Sequence, residues 1–319
     1  MLADDIFIAL ADIEAARTRI APHVRRTPVL TSDVLDEAAG ARLYFKCENL
    51  QQIGAFKARG ATNAIFSLTD AEAARGVATH SSGNHGSAVA YAARLRGVPA
   101  YVVMPEGVAR PKAAQVERLG ARIIYCAPTL AAREAETARI VAETGATLVH
   151  PFDNLAVMAG QGTTALELIE DAPDLDTVIV PIGGGGLISG ISTAVKARLP
   201  AARMVGAEPA GADDAARSFA AGRLVPMDHP QTIADGLRAG LSPATFAHIR
   251  RGVDQVVTVS DAVIVEATRA LWEALKVVVE PSAAVPYAAI RSGALDVRGQ
   301  RVGIILTGGN VDLDRLPWA

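Results

Sequence analysis

With 319 residues, half of them apolar, the chain is long enough for one large domain or two ordinary ones, each with a full core. Charge is nearly balanced, 31 Lys and Arg against 34 Asp and Glu, with no basic cluster interleaved with aromatics, so nucleic acid is excluded as an expected partner. Two cysteines, Cys47 and Cys126, are too few for a disulfide scaffold or a thiolate zinc site. The first residues carry acids where a secretory leader carries basic and then apolar residues, and no apolar run is long enough for a membrane span. The expectation is a soluble cytoplasmic globule.

The spacing predicts an amphipathic helix over 10–20, then extended chain at Thr27-Pro28, where the residue before proline avoids the helical region. A short strand over 43–46 leads into Asn49-Leu-Gln-Gln-Ile-Gly-Ala-Phe-Lys57-Ala-Arg-Gly60, a glycine-bounded turn that runs into a helix. An exposed lysine is protonated and a poor nucleophile, whereas one held in an apolar pocket loses its proton readily and can form a Schiff base. Taken alone, Lys57 reads first as a solvated lysine of a first helical turn; the rest of the chain shifts that reading. Thr69-Asp-Ala-Glu72 is a capping box that opens a short helix. From there strands over 77–80, 100–104, 122–126 and 147–150 alternate with helices over 86–96, 111–119 and 130–144, the rhythm of βαβ units on a parallel sheet.

A second α/β run begins near Asn154. It comprises a helix over 162–170, strand 177–181, helix 187–198, strand 204–207, an acidic turn over 208–214 and strand 255–259. A helix over 262–276, apolar at Val263, Ala267, Ala270, Ala274 and Val278, precedes the last strand, 301–306. The fold class is therefore α/β, two doubly wound units facing a cleft at the carboxyl ends of their strands. Residues 1–75 with 154–319 are assigned to a large domain and 76–153 to a small one.

Several stretches could carry chemistry. Gly183, Gly184, Gly185 and Gly186 lie between an apolar strand and a helix that begins at Leu187, where backbone can approach a ligand and the helix N-terminus offers free N–H groups. That combination suits a phosphate dianion; a merely tight turn is the alternative. No Lys-Ser/Thr follows, so it is not a P-loop, and the glycines miss the dinucleotide register. Ser81-Ser82-Gly83-Asn84-His85-Gly86 also follows a strand and opens a helix, a seat for a substrate carboxylate. Within it His85 reads as a base or as a structural histidine, and Ser82 as a functional hydroxyl or a cap. Thr307-Gly308-Gly309-Asn310 closes the last strand, its hydroxyl facing the cleft or its glycines forming a plain turn. Glu208 and Asp214, with Asp213 adjacent, suit a hard cation such as Mg²⁺ or Ca²⁺, or else Asp213 and Asp214 cap the next helix. No H-E-x-x-H, G-x-S-x-G elbow or close Cys–His pairing is present.

Together and in this order, the Gly-Ala-Phe-Lys57-x-Arg-Gly stretch, Ser-Ser-Gly-Asn84-His, the four glycines, Glu208-Pro-x-x-x-Asp-Asp214, Thr-Ile-Ala-Asp-Gly236 and Gly-Gly-Asn310 resemble the fold-type II pyridoxal-phosphate enzymes, in their serine/threonine dehydratase and serine racemase branch. The likeness covers nearly the whole chain. It implies pyridoxal phosphate carried on Lys57, with Phe56 and Gly236 flanking its ring and Asn84 bonding its phenolic oxygen. Gly183, Gly184, Gly185, Gly186 and Leu187 would cradle the phosphate, and Thr307, where members usually have serine, would bond the pyridine nitrogen. The 1–75 and 154–319 domain would then bind the cofactor, and the other would face the substrate through Ser81, Ser82, Gly83 and His85. Ser82 would stand on the ring face opposite Lys57. Glu208, the Ala212 carbonyl and Asp214 match the branch's divalent-cation site, for Mg²⁺ or else Ca²⁺ or Mn²⁺.

The resemblance implies a β-hydroxy amino acid dehydratase releasing a 2-oxo acid and ammonia, with serine racemase as the alternative, and a homodimer as the usual assembly. Arg133 matches an arginine that reaches a second carboxylate in serine racemase, and Ala55 stands where many members have serine. Together they favour 3-hydroxyaspartate over threonine or serine. A thiol-adding β-replacement enzyme, a non-catalytic cofactor binder and a nucleotide-binding module are the rival classes.

Overall fold

The computed structural model describes residues 7–81, 83–108 and 110–318. Helix α1 (Leu10–Ile20) opens the chain, followed by β1 (Val29–Leu30), α2 (Asp33–Ala39), β2 (Arg42–Cys47), α3 (Lys57–Phe66) and α4 (Asp70–Ala74). The capping box on α4 forms as its sequence dictates, with the Thr69 hydroxyl accepting from the Glu72 N–H and the Glu72 carboxylate accepting from the Thr69 N–H.

Strand β3 (Val77–His80), α5 (Asn84–Arg96), β4 (Ala100–Pro105), α6 (Arg110–Arg118), β5 (Arg122–Cys126), α7 (Leu130–Thr144) and β6 (Thr147–Leu148) follow. These strands form a four-stranded sheet in the order β5-β4-β3-β6, parallel throughout. All four residues of β3 are buried, as in a strand covered by helices on both faces.

Then come α8 (Leu155–Asp171), β7 (Thr177–Pro181), α9 (Gly186–Arg198), β8 (Arg203–Pro209), α10 (Asp214–Ala221), α11 (Pro243–Gly252), β9 (Gln255–Val259), α12 (Asp261–Leu275), α13 (Pro281–Arg291) and β10 (Arg301–Leu306). The six-stranded sheet runs β1-β2-β10-β7-β8-β9, parallel except for β1 against β2. Its two faces bury separate cores: Leu43, Phe45, Ile304 and Tyr287 lie in one, and Val178, Val180, Ile188 and Ile305 in the other.

The helix expected over 162–170 begins seven residues earlier, at Leu155, capped by the Asn154 side chain, which accepts from the Val157 N–H at 2.9 Å. Gly160 and Gly162 in its first turns serve close helix crossings. A Cβ on Gly160 would meet the Gly60 Cα at 2.7 Å, and one on Gly162 the Gly190 carbonyl oxygen at 2.8 Å. The helix expected over 262–276 spans Asp261–Leu275 with its buried stripe on Ile264, Ala267, Thr268, Leu271 and Leu275; Val278 lies beyond it and is 42% exposed. The acidic turn narrows because β8 runs on through Glu208 and Pro209. Helices α2, α11 and α13 go beyond the sequence reading; α13 carries Pro281 at its first turn, where proline is favoured, and Pro286 inside, which argues against a helix interior.

A buried ionic cluster joins β2, α3 and α8. Arg59, 1% exposed, donates to both oxygens of Glu48 at 2.8 Å and to both oxygens of Glu167 at 2.8 and 2.7 Å. Lys46, fully buried, donates to Glu167 at 2.7 Å and to the Thr27 carbonyl, while the Thr27 hydroxyl donates to Glu48 at 2.6 Å. This cluster sits two residues beyond Lys57 and fixes the start of α3.

Candidate active site

Lys57 opens α3 at the end of a loop pinned to the last strand. The Phe56 N–H donates to the Thr307 carbonyl at 3.0 Å, Ala55 bridges Gly308, and the Gly309 N–H donates to the Gly54 carbonyl at 3.0 Å. The loop also holds Ile53 at φ 58°, a left-handed conformation that a β-branched residue adopts only where its surroundings impose it. The Lys57 side chain is partly exposed, yet burial of its amine brings its pKa down to about 8. Nζ donates to the Pro151 carbonyl at 2.8 Å and lies 5.0 Å from the Phe56 ring centroid.

The next residue, Phe152, packs onto the four glycines between β7 and α9. A Cβ on Gly184 would fall 2.3 Å from its ring, and one on Gly186 2.9 Å from its Cα. Gly185 has φ +85°, and a Cβ there would also meet Thr245 at 2.8 Å; Gly183 lies against Gly236 and Leu237. Gly184, Gly185 and Gly186 therefore leave no room for a Cβ, and Gly183 leaves little. No side chain caps α9, whose first-turn N–H groups and dipole are left for an anion.

At the head of α5, the Gly83 N–H donates to the Ser81 hydroxyl at 3.3 Å, and a Cβ on Gly86 would meet the Ser81 carbonyl oxygen at 2.4 Å. Ser82 lies outside the described residues. His85 is buried, with Nε2 bound to the Val149 carbonyl at 2.9 Å, and Nδ1 has no partner among the described residues. Burial first, and the Lys57 charge second, hold it well below the usual histidine range, so it is neutral. His150 is likewise lowered to about 4, by burial and by His80.

The Asn84 amide donates to the Glu280 carboxylate at 3.0 and 3.2 Å and accepts from the Asn310 amide at 2.8 Å. The Gly236 N–H donates to the Ser282 hydroxyl at 3.0 Å. Sequence reasoning missed Phe152 and Glu280, although a glutamate followed by Pro-Ser-Ala-Ala in an apolar stretch was a legible sign of a buried carboxylate. Gly308 and Gly309 have ordinary backbone angles; they are small because Cβ atoms would meet Glu280 Oε1 at 2.6 Å and the Val278 carbonyl at 2.5 Å.

The structure thus draws Phe56, Lys57, Asn84, His85, the four glycines, Gly236 and Thr307 into one continuous set of contacts. Arg133 stands apart on α7, its guanidinium donating to the Thr129 carbonyl and acting on His80 through its charge.

Glu208, Ala212 and Asp214 form a separate group. Glu208 accepts from the Ala215 and Ala216 N–H groups at 3.2 and 2.8 Å, so it, and not Asp213, satisfies the first turn of α10. Asp213 makes no capping bond and pairs with Arg217 at 2.8 Å. Asp214 accepts from the Leu241 N–H through Oδ2, leaving Oδ1 buried and without a partner among the described residues. Burial raises both carboxyls, Glu208 to about 9.

Residues 20–308 match the family described as pyridoxal-phosphate dependent enzyme. The chain is 52% identical over 307 residues to the beta-hydroxyaspartate dehydratase of Paracoccus denitrificans, covering 96% of this chain and 98% of that one. It is 50% identical over 306 residues to a serine racemase of Oryza sativa, with 94% and 90% covered. The solved structure of maize serine racemase superposes with a TM-score of 0.94 at 47% identity, with 96% and 94% covered.

Proposed function

The chain belongs to the pyridoxal-phosphate dependent enzymes, and within that family we propose that it is a dehydratase of β-hydroxy amino acids that releases a 2-oxo acid and ammonia. The observation that carries this is the Lys57 amine, its pKa lowered by burial, one residue from the Phe152 ring that packs on the glycine cradle. The site fits the cofactor: uncapped N–H groups at α9 for its phosphate, and a nucleophilic amine for its aldehyde. When bound, pyridoxal phosphate supplies an electron sink for the bonds at an amino acid's α-carbon.

The chain's own residues would do the rest. Gly183, Gly184, Gly185, Gly186 and Leu187 hold the phosphate, Phe56 and Gly236 flank the ring, and Asn84 and the Thr307 hydroxyl bond its polar edge. Ser81, Ser82, Gly83 and His85 receive the substrate carboxylate at the N-terminus of α5. Lys57, as a neutral amine, takes the α-proton. Departure of the β-hydroxyl as water and hydrolysis of the released enamine, through its imine, give the 2-oxo acid and ammonia. In this reading the six-stranded sheet, with residues 1–75 and 154–319, carries the cofactor, and 76–153 faces the substrate.

The 52% identity to a beta-hydroxyaspartate dehydratase supports 3-hydroxyaspartate as the preferred substrate, with Arg133 receiving the β-carboxylate. A charged hydrogen bond of this kind is worth about 1.5–3 kcal/mol. Arg133→Met should therefore raise KM for 3-hydroxyaspartate at least roughly tenfold while leaving serine nearly unaffected. The test is 2-oxo acid release from serine, threonine and both 3-hydroxyaspartate diastereomers by wild type and variant. Lack of release from either diastereomer removes this preference. The 50% identity to a serine racemase favours racemisation as the second reading; D-serine formed as fast as pyruvate, and lost in Ser82→Ala, would establish it.

The same reading includes a divalent cation, Mg²⁺ first and Ca²⁺ or Mn²⁺ as alternatives, held by Glu208, the Ala212 carbonyl and Asp214. Two buried carboxylates and an unpartnered oxygen suit a hard cation. Magnesium at a hundredfold excess over its dissociation constant should stabilise the fold by about 2.7 kcal/mol. A rise in melting temperature after EDTA treatment and Mg²⁺ addition, absent in Asp214→Asn, is expected; an unchanged wild type counts against the site. A homodimer, a cytoplasmic location and an amino acid as the small-molecule substrate, with neither nucleic acid nor membrane as partner, complete the reading. Sedimentation as a monomer would remove the first. No helix among the described residues is long and apolar enough to cross a membrane.

A further inference from the structure

Glu280 precedes the first residue of α13 and is 5% exposed, a carboxyl taken out of water at the junction of the two sheets. The charged groups that act on it, Asp235 and Lys112, pair with each other at 2.9 Å, and among the described residues no cation pairs with it. Its side-chain partner is neutral: the Asn84 amide donates to both carboxyl oxygens. Two features of the chain keep it there. Gly308 has no Cβ, which would stand 2.6 Å from Oε1, and the Glu280 N–H donates to the Gly308 carbonyl at 2.9 Å. On its other edge Asn84 accepts from Asn310, whose amide also donates to the Ile53 carbonyl at 2.9 Å in the lysine loop.

A carboxylate only accepts, whereas a carboxylic acid can also donate. Facing the carboxylate, the amide must present its N–H groups; facing the acid, it can turn over and present its oxygen. We propose that Glu280 is a positioning residue that sets the orientation of Asn84, and through it the hydrogen bond offered to the bound cofactor. This rests on the reading that Asn84 lies against that cofactor. Burial, and then the charge of Asp235, push the Glu280 carboxyl up to about 7, with the Asn84 amide, the Asn310 backbone and Lys112 opposing. The change of state therefore falls within the range where such an enzyme works. Below it the carboxyl no longer fixes the amide, which keeps only its bond from Asn310; above it the amide is fixed on both sides.

The test compares wild-type holoenzyme with Glu280→Gln, recording the visible cofactor band, kcat and KM across roughly pH 5.5–9, a window about the cited value. Wild type should show a spectral step near pH 7 that Glu280→Gln lacks. The variant's kcat should fall on the order of tenfold, the usual effect of losing a partner that orients a ligating group, with KM little changed. If Glu280 acts through Asn84, Glu280→Gln should cost nothing further in an Asn84→Ala background. Should Glu280→Gln fail to fold, Gly308→Ala, which displaces the carboxyl, must abolish the same step. A step retained in Glu280→Gln, or in Gly308→Ala in its place, overturns the inference. A protein that binds no cofactor at Lys57 overturns the functional reading instead, so the two failures are distinguishable.

Discussion

Arg59→Met is expected to destabilise the fold by roughly 3–5 kcal/mol, the range for removing one member of a buried ion cluster. Arg59 is the cation shared between Glu48 and Glu167, both of them buried. Without it two carboxylates are left with Lys46 alone, itself lowered by burial despite the pull of Glu167. Burial would raise the Glu167 carboxyl, but Arg59 and Lys46 outweigh it and hold it below the usual range. A depressed carboxylate stabilises the fold above its ordinary pKa, and that stabilisation disappears as pH falls through the folded value. Wild type should therefore lose stability on acidification through that window. In Arg59→Met the surplus carboxylate keeps a proton more readily, so the deficit should narrow as pH falls from about 7 to 5, on the approach to the carboxylate range. Thermal unfolding at both values measures this: a fall of about 5–10 °C near neutrality is expected. An unchanged melting temperature would mean that the cluster contributes no net stability.

The parallel strands were legible because a strand-length apolar run between helical stretches leaves few alternatives. The expected strands at 77–80, 122–126, 177–181, 255–259 and 301–306 match the observed ones at both ends. Helices whose residues answer to a neighbour instead of to their own periodicity were not. The first turns of α8 answer to Gly60 and Gly190, which lie against Gly160 and Gly162, and Pro286 inside α13 hid a helix. The candidate site was readable wherever a chemical need fixes a residue type, as with the four glycines at the head of α9. It was opaque where function depends on which distant groups meet: nothing near Glu280 in sequence announces Asn84, 196 positions away. The acidic stretch was read as a cation site or as two caps, Asp213 and Asp214; of these the caps are replaced by Glu208, which from the preceding strand satisfies α10.

Lys57→Ala should abolish turnover, because that amine is assigned both to hold the cofactor and to move the α-proton; loss of the proton transfer alone costs roughly 10²–10⁴-fold. The substitution should leave the fold intact, since among the described residues Nζ makes a single hydrogen bond, to the Pro151 carbonyl. A folded, inactive variant thus separates chemistry from stability, in contrast to Arg59→Met. The most direct measurement is to reduce the holoenzyme with borohydride, digest it and locate the modified lysine by mass spectrometry, beside the turnover of Lys57→Ala. The account predicts the cofactor's added mass on the peptide that holds Lys57 and on no other, with neither label nor turnover in the variant. A label on another lysine, or a Lys57→Ala protein that still releases 2-oxo acid at the wild-type rate, would contradict it.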